Sequence, residues 1–203
     1  MKAVREAVEG SIRAGVEILT LFAFSTENWQ RPAAEISALM ALLEAYARKE
    51  KAELKKQGVR VRVLGELDRL APETRRAIDG ILEATAAGGT LNLNLMISYS
   101  GRGEILRAVR TLAEVVAQGR LSPEGIDAEA FEEALLTVGT PDPDLLIRTS
   151  GEFRISNFML WQLAYTEIHI TPVLWPDFTR QDLFAAVLDY QKRERRFGRV
   201  TTS

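Results

Sequence analysis

The segment from Leu146 to Phe158, LIRTSGEFRISNF, concentrates hydrogen-bond donors directly after a short apolar run. Arg148 and Arg154 flank a Ser-Gly pair, Ser156 follows, and Glu152 is the only carboxylate in the segment. Arginine, hydroxyl and exposed backbone N–H groups together favour an anion site, most naturally one for phosphate. Charge-assisted hydrogen bonds contribute about 1.5–3 kcal/mol each, so three or four of them would hold a diphosphate.

Two further polar clusters follow other apolar runs of the chain. The stretch STENWQRP, residues 25–32, comes after one run, and YSGRGEI, residues 99–105, comes after another. Because ligands of open parallel sheets bind beyond the carboxyl ends of the strands, the three clusters would share one rim. At each cluster taken singly, an arginine that is an ordinary solvent-exposed charge or a helix cap remains the alternative.

Glu167 begins the last short strand of the pattern in an otherwise apolar context. A carboxylate there could ligate Mg²⁺ between phosphates, and a strand-end carboxylate paired with an arginine is the alternative. His169, two residues further on, is interpreted as a structural histidine. With this single histidine and no cysteine, any metal would be a hard cation bound by oxygen.

The elements that must position these residues alternate along the chain. Apolar runs predict strands, at 17–25, 59–65, 90–98, 144–148 and 167–171. Amphipathic periods with caps predict helices, at 2–14, 32–56, 72–87, 103–118 and 179–196, with Gly198 as the last helix's stop. Strands separated by helices of this length predict a single α/β domain over residues 1–203. Its central sheet should be mostly parallel, with helices on both faces.

The long helix 32–56 has an apolar stripe on one side. Its members recur at helical spacing: Ile36, Leu39, Met40, Leu43 and Ala47. Four strand residues could face it: Ala23, Leu91, Leu93 and Leu95. The pattern is compatible with a filled core and with an apolar tunnel, and does not distinguish between them.

The composition limits the classes of partner. The chain has 203 residues, is 46% hydrophobic and 27% charged, and carries a formal net charge of −2, which argues against a non-specific nucleic-acid partner. The basic stretch KRERRFG near the C-terminus is interpreted as helix-end capping. No apolar run is long enough to span a bilayer. The absence of cysteine fits a cytoplasmic protein.

Several long stretches resemble the cis-prenyltransferases, or Z-isoprenyl diphosphate synthases, and among them the bacterial undecaprenyl diphosphate synthases. They are LTLFAFSTENWQRP, LNLNLMISYSGRGEI, DLLIRTSGEFRISNFMLWQLAYTEIHITPVLWPDF and RERRFG. The resemblance implies an enzyme that joins isopentenyl diphosphate to an allylic diphosphate such as farnesyl diphosphate, forming a cis double bond with the help of Mg²⁺. It also implies a homodimer and a polyprenyl diphosphate product. That product grows down an apolar tunnel, serves as a lipid-carrier precursor and partitions to the membrane.

The same resemblance assigns roles to residues that match the family's motifs. The isopentenyl diphosphate side would consist of Arg148, Arg154 and Ser156, with Ile155 between them and Glu152 orienting the arginines. The allylic side would consist of Ser25, Thr26, Glu27, Trp29 and Arg31. Glu167 would ligate Mg²⁺. Asn28 stands where the family's proposed proton acceptor lies, although a carboxamide is a poor base and could instead relay or orient.

One family motif, Asp-Gly-Asn-Gly-Arg-Trp after a first strand, does not occur in the 203 residues. Helix 2–14 begins at Met1 without a cap or a preceding strand. We therefore expect that the family's first strand is missing, and that this truncated form of an active enzyme has little or no turnover but binds isopentenyl diphosphate. The alternatives are a non-catalytic, diphosphate-binding partner or regulatory homologue, and an unrelated phosphate-binding α/β enzyme.

Overall fold

The computed structural model describes residues 2–193, which form two compact units. The terminal unit consists of residues 2–16, 142–156 and 162–193 of the described part. The central unit consists of residues 17–141 and 157–161. Each unit is described by itself.

Strands and helices alternate along the chain, as the sequence pattern predicts. The strands are β1 (Ile18–Ser25), β2 (Val59–Leu64), β3 (Leu91–Tyr99), β4 (Leu145–Arg148) and β5 (Glu167–Ile170). The α-helices are α1 (Lys2–Ala14), α2 (Ala33–Lys56), α3 (Pro72–Thr85), α4 (Gly101–Ala117), α5 (Ala128–Glu133) and α6 (Arg180–Gln191). Short 3₁₀ turns span Thr26–Gln30, Leu67–Arg69, Pro123–Gly125 and Trp175–Asp177.

The central unit is built on a parallel sheet with the strand order β1-β3-β2. In the middle of the sheet, Leu21 and Val63 both lie opposite Leu95 of the central strand. Strand β3 is buried along nearly its whole length, which is the near-continuous burial expected of a parallel strand covered on both faces. The predicted α/β class with a parallel sheet is confirmed.

The apolar stripe of α2 is only partly covered. Ala47 is buried, whereas Ile36, Leu39 and Met40 are half-buried, as is Leu43. Helix α2 packs against α3 and β2. On the strands, Leu91, Leu93 and Leu95 are buried, and Ala23 is exposed. The stripe is therefore not the interior of a fully packed core.

The terminal unit contains the parallel pair β4-β5, and α1 packs against α6. Arg180 at the start of α6 binds Glu6 through two hydrogen bonds of 2.7 Å and contacts Glu9 at 2.8 Å. The two helices approach closely at Gly10, where an added Cβ would lie 3.1 Å from the Cβ of Arg180.

Three predicted helix boundaries were wrong. Helix α3 ends at Thr85 and not at residue 87. The last helix was predicted to reach Arg196, which lies outside the described residues, but α6 already ends at Gln191, with Lys192 as its C-cap. The predicted stop at Gly198 lies outside the described residues. Helix α4 begins at Gly101 and not at Gly103, because the Ser100 hydroxyl caps it by accepting from the Gly103 N–H.

Within residues 2–193, the helices are too short or too polar to cross a lipid bilayer.

Candidate functional site

Arg148 is the last residue of β4, at the carboxyl end of the strand where ligands of parallel sheets bind. Its carbonyl accepts from the Thr171 N–H at 2.9 Å, which fixes the backbone. The Nε of Arg148 is buried and has no hydrogen-bond partner among the described residues. A buried, charged donor without an acceptor is costly, so this atom is suited to an anionic ligand.

The backbone after β4 makes a tight turn at the predicted Ser-Gly pair. Ser150 and Gly151 have φ values of 67° and 64°, in the left-handed region. Their N–H groups donate to the carbonyls of Val173 and Thr171, at 2.8 and 2.9 Å. These bonds anchor the turn to the segment that follows β5, so the start of the donor-rich segment has a defined course.

The rest of this segment carries the other predicted diphosphate ligands. Glu152, predicted to orient both arginines, forms an ion pair with Arg154. The Arg154 side chain is 66% exposed, Ser156 is exposed and Ile155 is half-buried. Arg148, Glu152, Arg154 and Ser156 thus lie in one short segment of the terminal unit.

Glu167 opens β5 beside β4, where it pairs with Leu145 in register. One of its carboxylate oxygens accepts from Nη1 of Arg193 at 2.8 Å. The sequence had left open that Glu167 is a strand-end carboxylate paired with an arginine, and this pairing is present. Hydrogen bonds to Glu167 and then Asp189 raise the pKa of Arg193 above its ordinary value.

Among residues 2–193, no three histidine, aspartate or glutamate side chains cluster as metal ligands. Mg²⁺ is usually bound by one or two carboxylates, waters and substrate phosphates and not by an all-protein cage. A single carboxylate such as that of Glu167 would suit an ion of that kind, but here Glu167 is paired with Arg193 and opens β5, at the opposite end of the strand pair from Arg148. The described residues do not fit a metal held by protein alone.

His169, two residues after Glu167, is half-buried and its Nδ1 lies 2.9 Å from Oδ2 of Asp189. The hydrogen bond from His169, followed by that from Arg193, lowers the pKa of Asp189 below its ordinary value. The interpretation of His169 as a structural histidine agrees with this pairing.

In the central unit, the first polar cluster forms the 3₁₀ turn directly after β1. Oδ1 of Asn28 accepts from the backbone N–H of Ser25 at 2.9 Å. The hydroxyl of Thr26 donates to Glu27 at 3.4 Å. The amide oxygen of Asn28, the predicted proton acceptor, is therefore already engaged in capping the turn.

Glu27 is tied to Asn157, a residue that is distant in sequence. Nδ2 of Asn157 donates to Oε1 of Glu27 at 2.7 Å, and Oδ1 of Asn157 accepts from the Arg102 N–H at 2.9 Å. The carbonyl of Asn157 also accepts from the Gly101 N–H at 2.7 Å. Partial burial raises the pKa of Glu27, but hydrogen bonds from Asn157, from its own backbone and from Ser25 and Thr26 outweigh this, so the pKa lies below its ordinary value.

Asn157 is the residue that reasoning from the sequence missed. It joins the first polar cluster to the start of α4, although it was not assigned to the site. The available signal was its place after Ser156 in the donor-rich segment. Its φ of 62° is a conformation that asparagine adopts more readily than most residues.

Trp29 is held on three sides within the central unit. Its Nε1 donates to the Ser98 hydroxyl at 2.9 Å. The ring of Phe24 packs edge-on against it at 5.1 Å, and the guanidinium of Arg69 lies 4.8 Å from its centroid. Arg31, by contrast, forms an exposed ion pair with Glu35 of α2.

The third polar cluster is largely structural. Burial, followed by the hydrogen bond to Glu104, raises the pKa of Tyr99 above its ordinary value. The Tyr99 hydroxyl donates to Glu104 at 2.6 Å, and the other oxygen of Glu104 accepts from the Leu136 N–H. Ser100 caps α4. The cluster therefore fixes the start of α4 beside Asn157.

The predicted site residues fall into two groups, one in each unit. The terminal unit contains Arg148, Glu152, Arg154, Ile155, Ser156 and Glu167. The central unit contains Ser25, Thr26, Glu27, Asn28, Trp29 and Arg31. Hydrogen bonds link Ser25, Thr26, Glu27 and Asn28 to one another, whereas the contacts of Trp29 and Arg31 lead elsewhere.

Comparison with known proteins gives consistent results. A family model described as putative undecaprenyl diphosphate synthase matches residues 1–198. The isoprenyl transferase of Chlorobaculum tepidum is 48% identical over 201 residues, which cover 99% of this chain and 76% of that protein. The isoprenyl transferase of Geobacter sulfurreducens is 47% identical, with 99% and 82% of the two chains covered.

Solved structures with the same fold include two synthases. Lavandulyl diphosphate synthase from Lavandula x intermedia, in complex with dimethylallyl diphosphate, superposes with a TM-score of 0.93 at 36% identity, covering 97% of this chain and 86% of that one. A probable undecaprenyl diphosphate synthase from Campylobacter jejuni has a TM-score of 0.85 at 33% identity, covering 98% and 91%.

Proposed function

This chain belongs to the cis-prenyltransferase family, and from that premise we propose that it joins isopentenyl diphosphate to an allylic prenyl diphosphate such as farnesyl diphosphate. The new double bond is cis, and the product is a polyprenyl diphosphate that serves as a lipid-carrier precursor and partitions to the membrane. The family model over residues 1–198 supports treating the chain as one cis-prenyltransferase-like domain.

One structural observation supports this proposal independently of family membership. The buried Nε of Arg148 has no partner among the described residues and stands at the carboxyl end of β4. In the proposal, a diphosphate oxygen of isopentenyl diphosphate supplies the missing acceptor. The bond is charge-assisted and partly shielded from water, which makes it stronger than a surface ion pair.

The neighbouring residues complete the diphosphate site. Arg154, oriented by Glu152, supplies a second guanidinium, and the Ser156 hydroxyl supplies a neutral donor. Ile155 lies between them and contributes an apolar side chain. Because Arg154 is more exposed than Arg148, we assign it the smaller share of the binding free energy.

We assign the allylic side to the turn after β1. Ser25 and Thr26 offer hydroxyls, Glu27 a carboxylate kept ionised by its hydrogen bonds, and Trp29 a rigid aromatic wall. Arg31 would contribute only if it left Glu35. Asn28 is the candidate to accept the proton lost after C–C bond formation. However, its Oδ1 already accepts from the Ser25 N–H, which favours a role in orienting the substrate.

The partly covered stripe of α2 supports an apolar path for the growing chain. Ile36, Leu39 and Met40 are half-buried, which leaves apolar surface for an isoprenoid to cover. Burying such surface stabilises by about 25 cal/mol per Å², so each added isoprene unit would favour elongation within the path.

When bound, Mg²⁺ would neutralise charge on the leaving allylic diphosphate, and Glu167 is the protein ligand that we propose for it. Glu167→Gln should raise the Mg²⁺ concentration needed for half-maximal diphosphate binding. Asp189→Asn is the matched control, because Asp189 is the other carboxylate bound to Arg193. An equal effect of both substitutions would assign Glu167 to the ion pair with Arg193 alone.

The catalytic proposal is tested by incorporation of radiolabelled isopentenyl diphosphate. The motif Asp-Gly-Asn-Gly-Arg-Trp does not occur in residues 1–203, so the assay uses this polypeptide preceded by that segment from a relative. It should give Mg²⁺-dependent products with cis double bonds. Binding without products, or products with trans double bonds, would contradict the proposed reaction.

We also propose that the protein is a homodimer. We propose a cytoplasmic location as well, which agrees with the absence of cysteine from the 203 residues. Exposed apolar side chains of the terminal unit support the dimer: Phe153, Tyr165, Ile168, Leu174 and Leu188. Sedimentation of the wild type as a dimer and of Ile168→Asp as a monomer would support this surface as the interface. A monomeric wild type would contradict it.

A further inference from the structure

A cavity of about 520 Å³ lies against the sheet of the central unit, and none of its lining residues belongs to the proposed substrate site. Asn92 and Asn94 of β3 form part of its floor, with Arg60 and Arg62 opposite them on β2. These four side chains share one face of the sheet because they alternate along their strands. Thr140 contributes a hydroxyl from a neighbouring loop.

The two arginines bring positive charge to the cavity without a balancing carboxylate. Nε of Arg60 donates to the Ala86 carbonyl at 2.9 Å, and Nη1 of Arg62 donates to the Thr140 hydroxyl at 2.8 Å. Within residues 2–193, neither arginine has a recorded ion pair with a carboxylate. Nη2 of Arg62 also donates to the Val138 carbonyl at 3.5 Å. Each guanidinium has five N–H donors, so several remain for an anion in the cavity.

Asn94 adds a buried polar group that the described residues satisfy only in part. The residue is 1% exposed, and its Nδ2 donates to the Thr20 hydroxyl at 3.3 Å. Its Oδ1 is buried and has no donor within the described part of the chain. Because the hydroxyl of Thr20 can donate as well as accept, either orientation of the amide leaves one end without a partner.

We propose that this cavity binds a small phosphate that carries a hydroxyl group, either inorganic phosphate or a hydroxylated phosphomonoester. Phosphate oxygens accept from Arg60 and Arg62, and the ligand's O–H donates to Oδ1 of Asn94. A fully ionised carboxylate would supply the acceptors but not this donor. The volume lies within the range of roughly 300–1,000 Å³ typical of small-molecule sites.

The first test measures inorganic phosphate binding by calorimetry in an Arg148→Ala background, so that the proposed diphosphate site does not contribute. Saturable binding should persist there, and a further Arg62→Gln substitution should weaken it by about tenfold or more. Arg107→Gln is the matched control, because Arg107 also donates to a backbone carbonyl, that of Ala134, but lies outside the cavity. Loss of all binding in the Arg148→Ala background, or indifference to Arg62→Gln, would overturn the proposal.

A second test needs no substitution in the cavity. Sulfate matches phosphate in shape but carries no O–H at neutral pH, so the Arg148→Ala chain should bind phosphate about tenfold more tightly. Equal affinities would contradict the role of Asn94. Glycerol 1-phosphate distinguishes the two proposed ligands. Tighter binding than that of inorganic phosphate indicates a phosphomonoester, and weaker binding indicates inorganic phosphate itself.

Discussion

At the scale of single residues, the site depends on polar atoms whose partners are distant in sequence. Within residues 2–193, the buried Nε of Arg148 has no acceptor, whereas Asn157 uses both ends of its amide, one for Glu27 and one for the start of α4. The first is an atom ready for a ligand. The second is a support that holds the turn after β1 in place.

Substitution of Asn157 tests whether its hydrogen bonds hold the turn after β1. Asn157→Gly keeps the left-handed backbone accessible but removes the amide, so the free energy of unfolding should fall by about 1–2 kcal/mol. Without its donor, Glu27 should show a pKa closer to the ordinary value, which an NMR titration of its carboxyl group would measure.

Asn157→Asp serves as the comparison for this residue. It keeps an acceptor for the Arg102 N–H but puts a second carboxylate against Glu27. Its destabilisation should therefore be larger at pH 7 than at pH 4, since like charges repel when both are ionised. An unchanged Glu27 titration in Asn157→Gly would refute the proposed support.

At the scale of elements, helix packing and strand spacing are fixed by a few close contacts. Periodicity predicted α1 and α2 almost to the residue, because their faces are amphipathic and Pro32 marks the start of α2. The end of α6 could not be predicted in this way. Lys192 is the C-cap, and Arg193 beyond it binds Glu167 of β5, a tertiary contact without a local sequence signal.

The ion pair between α1 and α6 predicts how stability changes with pH. Arg180, through its hydrogen bonds, lowers the pKa of Glu6 from 4.5 to about 2 in the folded chain. A lowered folded-state pKa contributes stability that is present above pH 4.5 and lost as the pH falls toward 2. Wild type should therefore be more stable than Glu6→Gln at pH 7, and thermal denaturation should show the gap closing over this interval. A gap independent of pH would contradict the ion pair.

Substitution of glycine by alanine should have opposite effects on stability at two positions. A Cβ at Gly65, where φ is 143°, would lie 1.8 Å from the Ile97 carbonyl oxygen, so Gly65→Ala should destabilise by about 3 kcal/mol. Gly80 lies inside α3 with open space around its Cβ position, and Gly80→Ala should stabilise by about 0.5–1 kcal/mol. Urea denaturation of both variants measures the difference. Equal effects would show that the close approach of β2 and β3 at Gly65 is not a constraint.

At the scale of the whole molecule, the alternation of strands and helices was enough to predict the α/β class and the parallel sheet. It was not enough to predict that the described residues would form two strand groups, β1-β3-β2 and β4-β5, because pairing depends on contacts between distant segments. The long motifs led to the proposed site residues, which stay predictions. Asn157 and the cavity at Asn94 were not found from the sequence, since their importance lies in the partners that surround them.

The central claim is that the positive charge at the end of β4 binds the diphosphate of isopentenyl diphosphate. Calorimetric titration of isopentenyl diphosphate into the chain of residues 1–203 tests it most directly. We predict saturable binding that Arg148→Ala weakens by more than about tenfold, while Arg107→Ala, an exposed arginine bound to a backbone carbonyl, leaves it unchanged. The same dissociation constant in the wild type and in Arg148→Ala would contradict the account.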